Sequence, residues 1–190
     1  MYEQLTDYIL RRINVTDAQL SIILSHFKLQ KTVRNQALLS EGEVAKNIFF
    51  VNSGCVRVYF IDENGQEATR YLAFENNCVC GLMSFISGKP SHEFIQAVLP
   101  GQLLAISRND FYYLLDTIPA WEKFYRHYLE NAYVINTGRL MSFITQSAGE
   151  RYRQLLNENA HVVQRLPNKL VASYLNISQE TLSRLKSKRF

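Results

Sequence analysis

The residues with the clearest chemical potential lie near the C-terminal end. Lys169, Ser178, Gln179, Glu180, Thr181, Ser183, Arg184, Lys186 and Lys188 set hydrogen-bonding and cationic groups among apolar Val171, Leu175, Leu182 and Leu185, which recur at helical spacing. An arginine presents a forked pair of donors that matches the two acceptors of guanine. A glutamate accepts from the amino group of cytosine, and lysines neutralise phosphates. From Arg165 onward six basic residues (Arg165, Lys169, Arg184, Lys186, Lys188, Arg189) face one acid, Glu180, although the whole chain carries a net charge of only +4. This concentration of charge suits a polyanion, and the mixture of side chains suits the base edges of double-stranded DNA. The competing reading is a plain helical hairpin with a solvated outer face.

Two short helices and a tight corner are needed to present those groups. Within NKLVASYLNISQETLSRLKS (168–187), Ala172 is small where two helices must cross closely, and Asn176 falls where a left-handed backbone is required. Ile177 is the apolar plug of the turn. Ser178 is placed to cap the second helix, with Glu180 in its first turn. That helix then turns Gln179, Glu180, Ser183, Arg184 and Lys186 outward.

Upstream, the apolar period is helical from Phe111, and after Ile118-Pro119 a longer run carries Trp121, Phe124, Tyr125, Tyr128, Leu129, Ala132, Ile135 and Leu140. This stripe, over roughly 120–145, has two possible partners: the chain's own sheet, or the same helix of a second subunit. In the second case Trp121, Phe124, Tyr125, Tyr128, Ala132 and Ile135 form the dimer interface. The break at Thr145 to Glu150 is read as a hinge. Between about residues 30 and 106 the period is two. IFFVN (48–52), CVRVYFI (55–61), EATRYLA (67–73), EFIQAVL (93–99) and QLLAI (102–106) read as short strands, separated by turn signals at Ser53-Gly54, Asp62 to Gly65, Ser87 to Pro90 and Pro100-Gly101. Many short strands imply a sandwich or barrel. At the start, Thr16 to Gln19 has the form of a capping box.

Other chemistry is excluded residue by residue. No stretch approaches the ~18 consecutive apolar residues that span a bilayer, and the first residues lack a signal peptide's apolar block, so a cytoplasmic protein with no membrane partner is expected. Three cysteines, Cys55, Cys78 and Cys80, do not make a disulfide framework or a four-thiolate cluster. They read as core residues, with oxidant sensing by Cys78 and Cys80 as the alternative. The four histidines, His26, His92, His127 and His161, lack the spacing of a metal site, and no Gly-rich phosphate loop is present. Neither an enzyme nor a cofactor is expected.

Taken together these segments resemble the Crp/Fnr superfamily of transcription regulators. The resemblance rests on Glu41-Gly42, IFFVNSGCVRVYF, Asn64-Gly65, Cys80-Gly81-Leu82-Met83, Ser87 to Pro90, Ile95-Gln96-Ala97, and ERYRQLL (150–156) followed by the two C-terminal helices. It implies an α+β fold: an N-terminal jelly roll of cyclic-nucleotide-binding type in a sensor domain (1–119), a dimerisation helix (120–146), and a helix-turn-helix domain of winged-helix type (147–190) with its wing short or absent. It also implies a homodimer on double-stranded DNA, with RNA polymerase as a further candidate partner. The effector pocket would comprise Gly81, Leu82, Met83, Ser84, His92 and Glu93, with Asn136 and Thr137 from the long helix. Members that bind cyclic AMP carry Glu after the glycine and Arg followed by Ser or Thr in the next strand. Here Leu82, His92 and Glu93 stand there, and Glu93 would repel a cyclic phosphate. The expectation is therefore a regulator with an unidentified small-molecule effector other than cyclic AMP. A dimeric sensor that controls a protein partner without touching DNA is the alternative.

Overall fold

The computed structural model describes residues 1–187. Their elements follow in the order α1 (Glu3–Leu10), α2 (Asp17–Ser25), β1 (Phe27–Thr32), β2 (Ala37–Leu39), β3 (Asn47–Ile61), β4 (Glu67–Ala73), β5 (Cys78–Val79), α3 (Leu82–Ser87), β6 (Phe94–Ser107), α4 (Arg108–Thr117), α5 (Pro119–Thr145), α6 (Ala148–Arg165), α7 (Asn168–Leu175) and α8 (Gln179–Ser187). The strands form one sheet in the order β1-β6-β3-β4, with β2 on β6 and β5 on β3. The residues group into two units. The first holds Met1–Tyr59 and Leu72–Glu130, and the second holds Phe60–Tyr71 and Asn131–Phe190. The tip of the β3–β4 hairpin thus belongs with the C-terminal helices.

The first unit is the roll with its flanking helices, an α+β arrangement in which antiparallel strands do most of the enclosing. Its core mixes aliphatic and aromatic side chains along β3 and β6 and is aromatic where the helices pack. Phe50, Val51, Val58, Ile95, Leu103, Leu104 and Ile106 are at most 1 % exposed. Each such side chain, fully removed from water, contributes on the order of 1.5–3 kcal/mol. Two helix starts of this unit are capped by side chains close in sequence. Thr16 and Gln19 form the complete capping box of α2, and Ser107 Oγ accepts from Asp110 N–H at the start of α4. Asp110 also meets His26 Nδ1 at 2.9 Å, and the bonds from Ser107 first and His26 second hold its carboxyl below the ordinary value.

Two turn signals are not turns. Ser53-Gly54 and Pro100-Gly101 lie inside continuous strands, β3 of 15 residues and β6 of 14. There they face each other where the β3–β6 register shifts between Val51 and Val56. Gly54 has φ +96°, and a Cβ on Gly101 would stand 2.0 Å from the Ser53 carbonyl oxygen. The glycines let two strands bend and approach without a connection being made, which is the role of a bulge rather than of a loop.

A second expectation fails at the start of α5. Trp121 and Phe124, expected at a dimer interface, are 0 % and 4 % exposed within the chain itself. Their rings stack at 4.2 Å and 7°, Phe111 lies 5.5 Å from Trp121, and Tyr8 of α1 meets Phe124 edge-on. These residues complete the first unit's core and have no surface to offer a partner. Tyr125, Tyr128, Ala132 and Ile135 are partly exposed.

Gly101→Ala is expected to destabilise the roll by ~1–3 kcal/mol through the clash with Ser53, whereas the same change at Gly42, whose Cβ would meet nothing within 4 Å but whose φ is +84°, carries only the strain of a left-handed residue. Urea unfolding of the two variants measures the difference.

Candidate nucleic-acid interface

The second unit builds its exposed polar surface from α6, α7 and α8. Ser147 caps α6 in a full capping box with Glu150, whose carboxyl those Ser147 bonds hold below the ordinary value. The helix is interrupted at Asn159, where the backbone leaves helical values. Tyr152, Leu155 and Val162 of α6, together with Leu166, Val171, Ala172, Leu175, Leu182 and Leu185, form a small closed core. Gly149 of α6 lies beside Leu185 of α8, and a Cβ there would make ordinary contact with it at 3.7 Å.

The corner between α7 and α8 has the left-handed residue that the sequence called for. Asn176 sits at φ 51° and ψ 54°. Asn176 N–H bonds the Ser173 carbonyl and Ile177 N–H the Ala172 carbonyl, at 3.2 and 3.1 Å. This paired arrangement closes a helix and reverses the chain in two residues. Two carbonyls of the last turn remain, and arginines meet both. Arg139 of α5 donates to the Tyr174 carbonyl. Arg151 of α6 donates to that of Leu175 at 3.2 and 3.3 Å. Cations at a helix C-terminus also complement its dipole. Arg139 lies 3.9 Å from the centre of the Tyr174 ring and 4.8 Å from that of Phe143. Burial, with Arg70 and Arg151 close by, pulls its pKa below the ordinary arginine value even though Tyr174 acts in the opposite sense.

Beyond the corner, Ser178 Oγ accepts from Thr181 N–H at 3.1 Å and donates to the Thr181 hydroxyl at 3.0 Å. Gln179, Glu180, Ser183, Arg184 and Lys186 are exposed along α8, and Ser178 and Lys169 are exposed beside them. The Arg184 guanidinium rests against Thr181 Oγ1 at 3.3 Å, and Lys186 Nζ meets Asn168 Oδ1 at 2.5 Å. Lys188 lies outside the described residues. A short helix thus presents an uninterrupted polar and cationic face while its apolar face is buried, the geometry needed to enter a major groove.

The residues read as an effector pocket are dispersed. Gly81 precedes α3 and is buried, and a Cβ there would meet Leu39 at 2.8 Å. Ser84 is buried and already committed, accepting from Ala45 N–H at 2.9 Å and donating to the Lys89 carbonyl at 2.5 Å. Leu82 is partly covered, Met83 is 63 % exposed, His92 is exposed and Glu93 is buried. Asn136 and Thr137 are exposed on the part of α5 that belongs to the second unit. There Asn136 Oδ1 accepts from Arg70 at 2.7 Å. None of these eight residues lines the cleft formed by Leu38, Leu39, Glu43, Val44, Ala45, Lys46, Asn47, Phe49 and Ile95. Sequence reasoning did not single out Arg70, Arg139, Arg151, Thr69 or Ser173. No local pattern marks them, because each acts on a partner distant in the chain.

Comparison with known proteins places this architecture. Residues 29–117 match the cyclic nucleotide-binding domain family. The cAMP-activated global transcriptional regulator CRP of Salmonella typhimurium is 26% identical over 104 residues, 55% of this chain and 50% of the relative. The matched region therefore spans about half the length of that curated protein. Among solved structures, a transcriptional regulator assigned to the Crp/Fnr family from Eubacterium rectale superposes with a TM-score of 0.73 at 15% identity, covering 90% of this chain and 82% of that one. The c-di-GMP responsive global regulator CLP of Xanthomonas campestris gives 0.70 at 15% identity, covering 90% and 89%. At such identities the likeness is one of fold.

The corner yields a direct test. Asn176→Gly, which keeps the left-handed conformation open, is expected to leave the thermal midpoint nearly unchanged. Asn176→Val should lower stability by ~1–2 kcal/mol, the cost of forcing a side chain without local hydrogen bonds into that region. Calorimetry of the two variants measures it.

Proposed function

We propose that this chain, which carries the fold of the Crp/Fnr regulators and a cyclic nucleotide-binding domain match over residues 29–117, binds double-stranded DNA sequence-specifically as a homodimer and thereby regulates transcription. The observation that carries the reading is the exposed row Gln179, Glu180, Ser183, Arg184 and Lys186 on a helix locked to α7 by the Asn176 corner. Polar groups at the start of the helix would meet base edges, and Lys169 and Lys186 would meet phosphates.

The homodimer is supported by the far half of α5. Tyr133, Val134, Leu140, Met141 and Ile144 are 51–72 % exposed; Tyr133 and Leu140, like Val134 and Met141, are one heptad apart, and Ile144 follows both Leu140 and Met141 within one turn, a spacing that suits a helical seam. A second copy of the same helix presents the complementary surface by symmetry. This seam begins about two and a half turns beyond Phe124, because Trp121 and Phe124 are spent on the first unit's core.

A small anionic effector would find Leu82, His92 and the acidic Glu93 where binders of cyclic AMP carry Glu, Arg and Ser or Thr, so cyclic AMP does not fit this reading. The residues break the helical run between α5 and α6 at Gln146 and Ser147, and an effector would act by biasing the orientation of the reading head about that break.

Selection from random duplexes is expected to enrich a two-fold symmetric site bound with strong salt dependence. Arg184→Ala should then lose ~1–3 kcal/mol at one base position and relax its identity. Equal binding of all sequences by parent and variant would remove Arg184 as a reader, and failure to enrich any duplex would favour the alternative of a dimeric sensor acting on a protein partner. Separately, Met141→Glu and Ile144→Glu are expected to shift the sedimentation coefficient of the chain from dimer to monomer, since each buries a charge in the seam.

A further inference from the structure

Thr69 and Ser173 stand on opposite sides of a junction within the second unit. Thr69 is on β4, at the outer end of the strand order, and Ser173 is on α7. An outermost strand carries a row of backbone donors and acceptors with no neighbouring strand to pair them. On one edge of a strand the carbonyl of one residue and the N–H and carbonyl of the residue two further on point the same way. Here those three groups are Glu67 O, Thr69 N–H and Thr69 O, and helices meet all three. Ser173 Oγ donates to Glu67 O at 2.7 Å and accepts from Thr69 N–H at 3.0 Å. Arg139 donates to Thr69 O at 2.8 Å.

The two hydroxyls add a fourth bond, with Thr69 Oγ1 2.8 Å from Ser173 Oγ. Because the Ser173 proton is directed at Glu67, the Thr69 hydroxyl is the donor, and Ser173 Oγ then uses its one donor and both acceptor positions. Thr69 is 2 % exposed, so losing a partner leaves a buried polar group unsatisfied. Arg139 spans Thr69 O and Tyr174 O with the same nitrogen, tying α5, β4 and α7 at one point. Since α7 and α8 share a closed corner, whatever fixes α7 about its axis fixes the direction of α8.

We propose that Thr69, Ser173 and Arg139 are positioning residues: together they latch the α7–α8 pair to the β4 edge and thereby set the half-site spacing at which a dimer engages DNA. This rests on the DNA-binding dimer argued above. The polar face of α8 is exposed while the junction is closed, so the latch orients the reading head and does not cover it. A head freed from the junction would sample many orientations, tolerate more than one spacing, and bind its best site less tightly.

The test uses the full-length chain and the duplex enriched by selection, remade with one or two base pairs inserted or deleted between the half-sites. The parent chain is expected to lose about tenfold or more in affinity on any change of spacing, as befits two heads held one helical turn apart. Thr69→Val, which keeps shape and removes the hydroxyl, and Ser173→Ala should flatten that preference to within about threefold and weaken the best site. Thr69→Ser should restore the parent's preference. Arg139→Lys, which keeps the charge and loses the planar fork, should behave like Ser173→Ala. Amide exchange supplies a readout that needs no DNA: in Ser173→Ala the Thr69 amide should exchange faster while the Leu182 and Leu185 amides stay protected. A spacing preference unchanged in Thr69→Val and Ser173→Ala, with Thr69 protection lost, would overturn the latch. If the parent bound no duplex, the DNA reading and its spacing rule would fall together. That outcome is distinguishable, because the exchange signature of the junction would persist.

Discussion

The last turn of α7 leaves four carbonyl groups that the helix cannot satisfy from within, and the second unit is organised around meeting that demand. Ala172 and Ser173 are served by the backbone of Ile177 and Asn176 as the chain reverses. Tyr174 and Leu175 are served by Arg139 and Arg151, which arrive from two other helices. Arg151 also donates to the Gln146 carbonyl at 2.7 Å, so the break between α5 and α6 is braced by the same side chain that closes α7. A helix end therefore determines where three other elements must lie, and the exposed face of α8 is aimed as a result.

The first unit answers a different constraint, that of two long strands which must bend together. Gly54 and Gly101 permit a backbone approach that any side chain would block, and the strands stay paired on either side while their register shifts across the bulge. The region around Gly81 and Ser84 is committed to internal packing, with the Ser84 hydroxyl already holding Ala45 and Lys89. Glu93 is buried in the same region.

Much of this was legible beforehand where a residue acts on near neighbours. The capping box at Thr16, the serine that opens α4 and the left-handed Asn176 all depend on contacts a few positions away, so their types announce them. The errors share a cause. Ser53-Gly54 and Pro100-Gly101 have the composition of turns, but their meaning comes from facing one another across a ladder 47 positions apart, as the Ser53–Gln102 and Cys55–Leu99 pairings on either side make plain. Helical periodicity identified the apolar stripe of α5 but not what covers it, and its first turns were claimed by Tyr8 and Phe111. Thr69, Ser173 and Arg139 carried no signal at all, because a threonine in a strand and a serine in a helix are unremarkable until the fold brings them together.

The stacked pair at the start of α5 has a practical corollary. Trp121 is the only tryptophan in the chain, and it sits fully enclosed in the first unit against Phe124 and Phe111. Intrinsic emission excited at the indole band therefore reports on the roll alone and is silent about the C-terminal helices. Unfolding followed by that signal and by helical ellipticity samples different parts of the same molecule, so agreement between the two curves is a measure of how strongly the units are coupled.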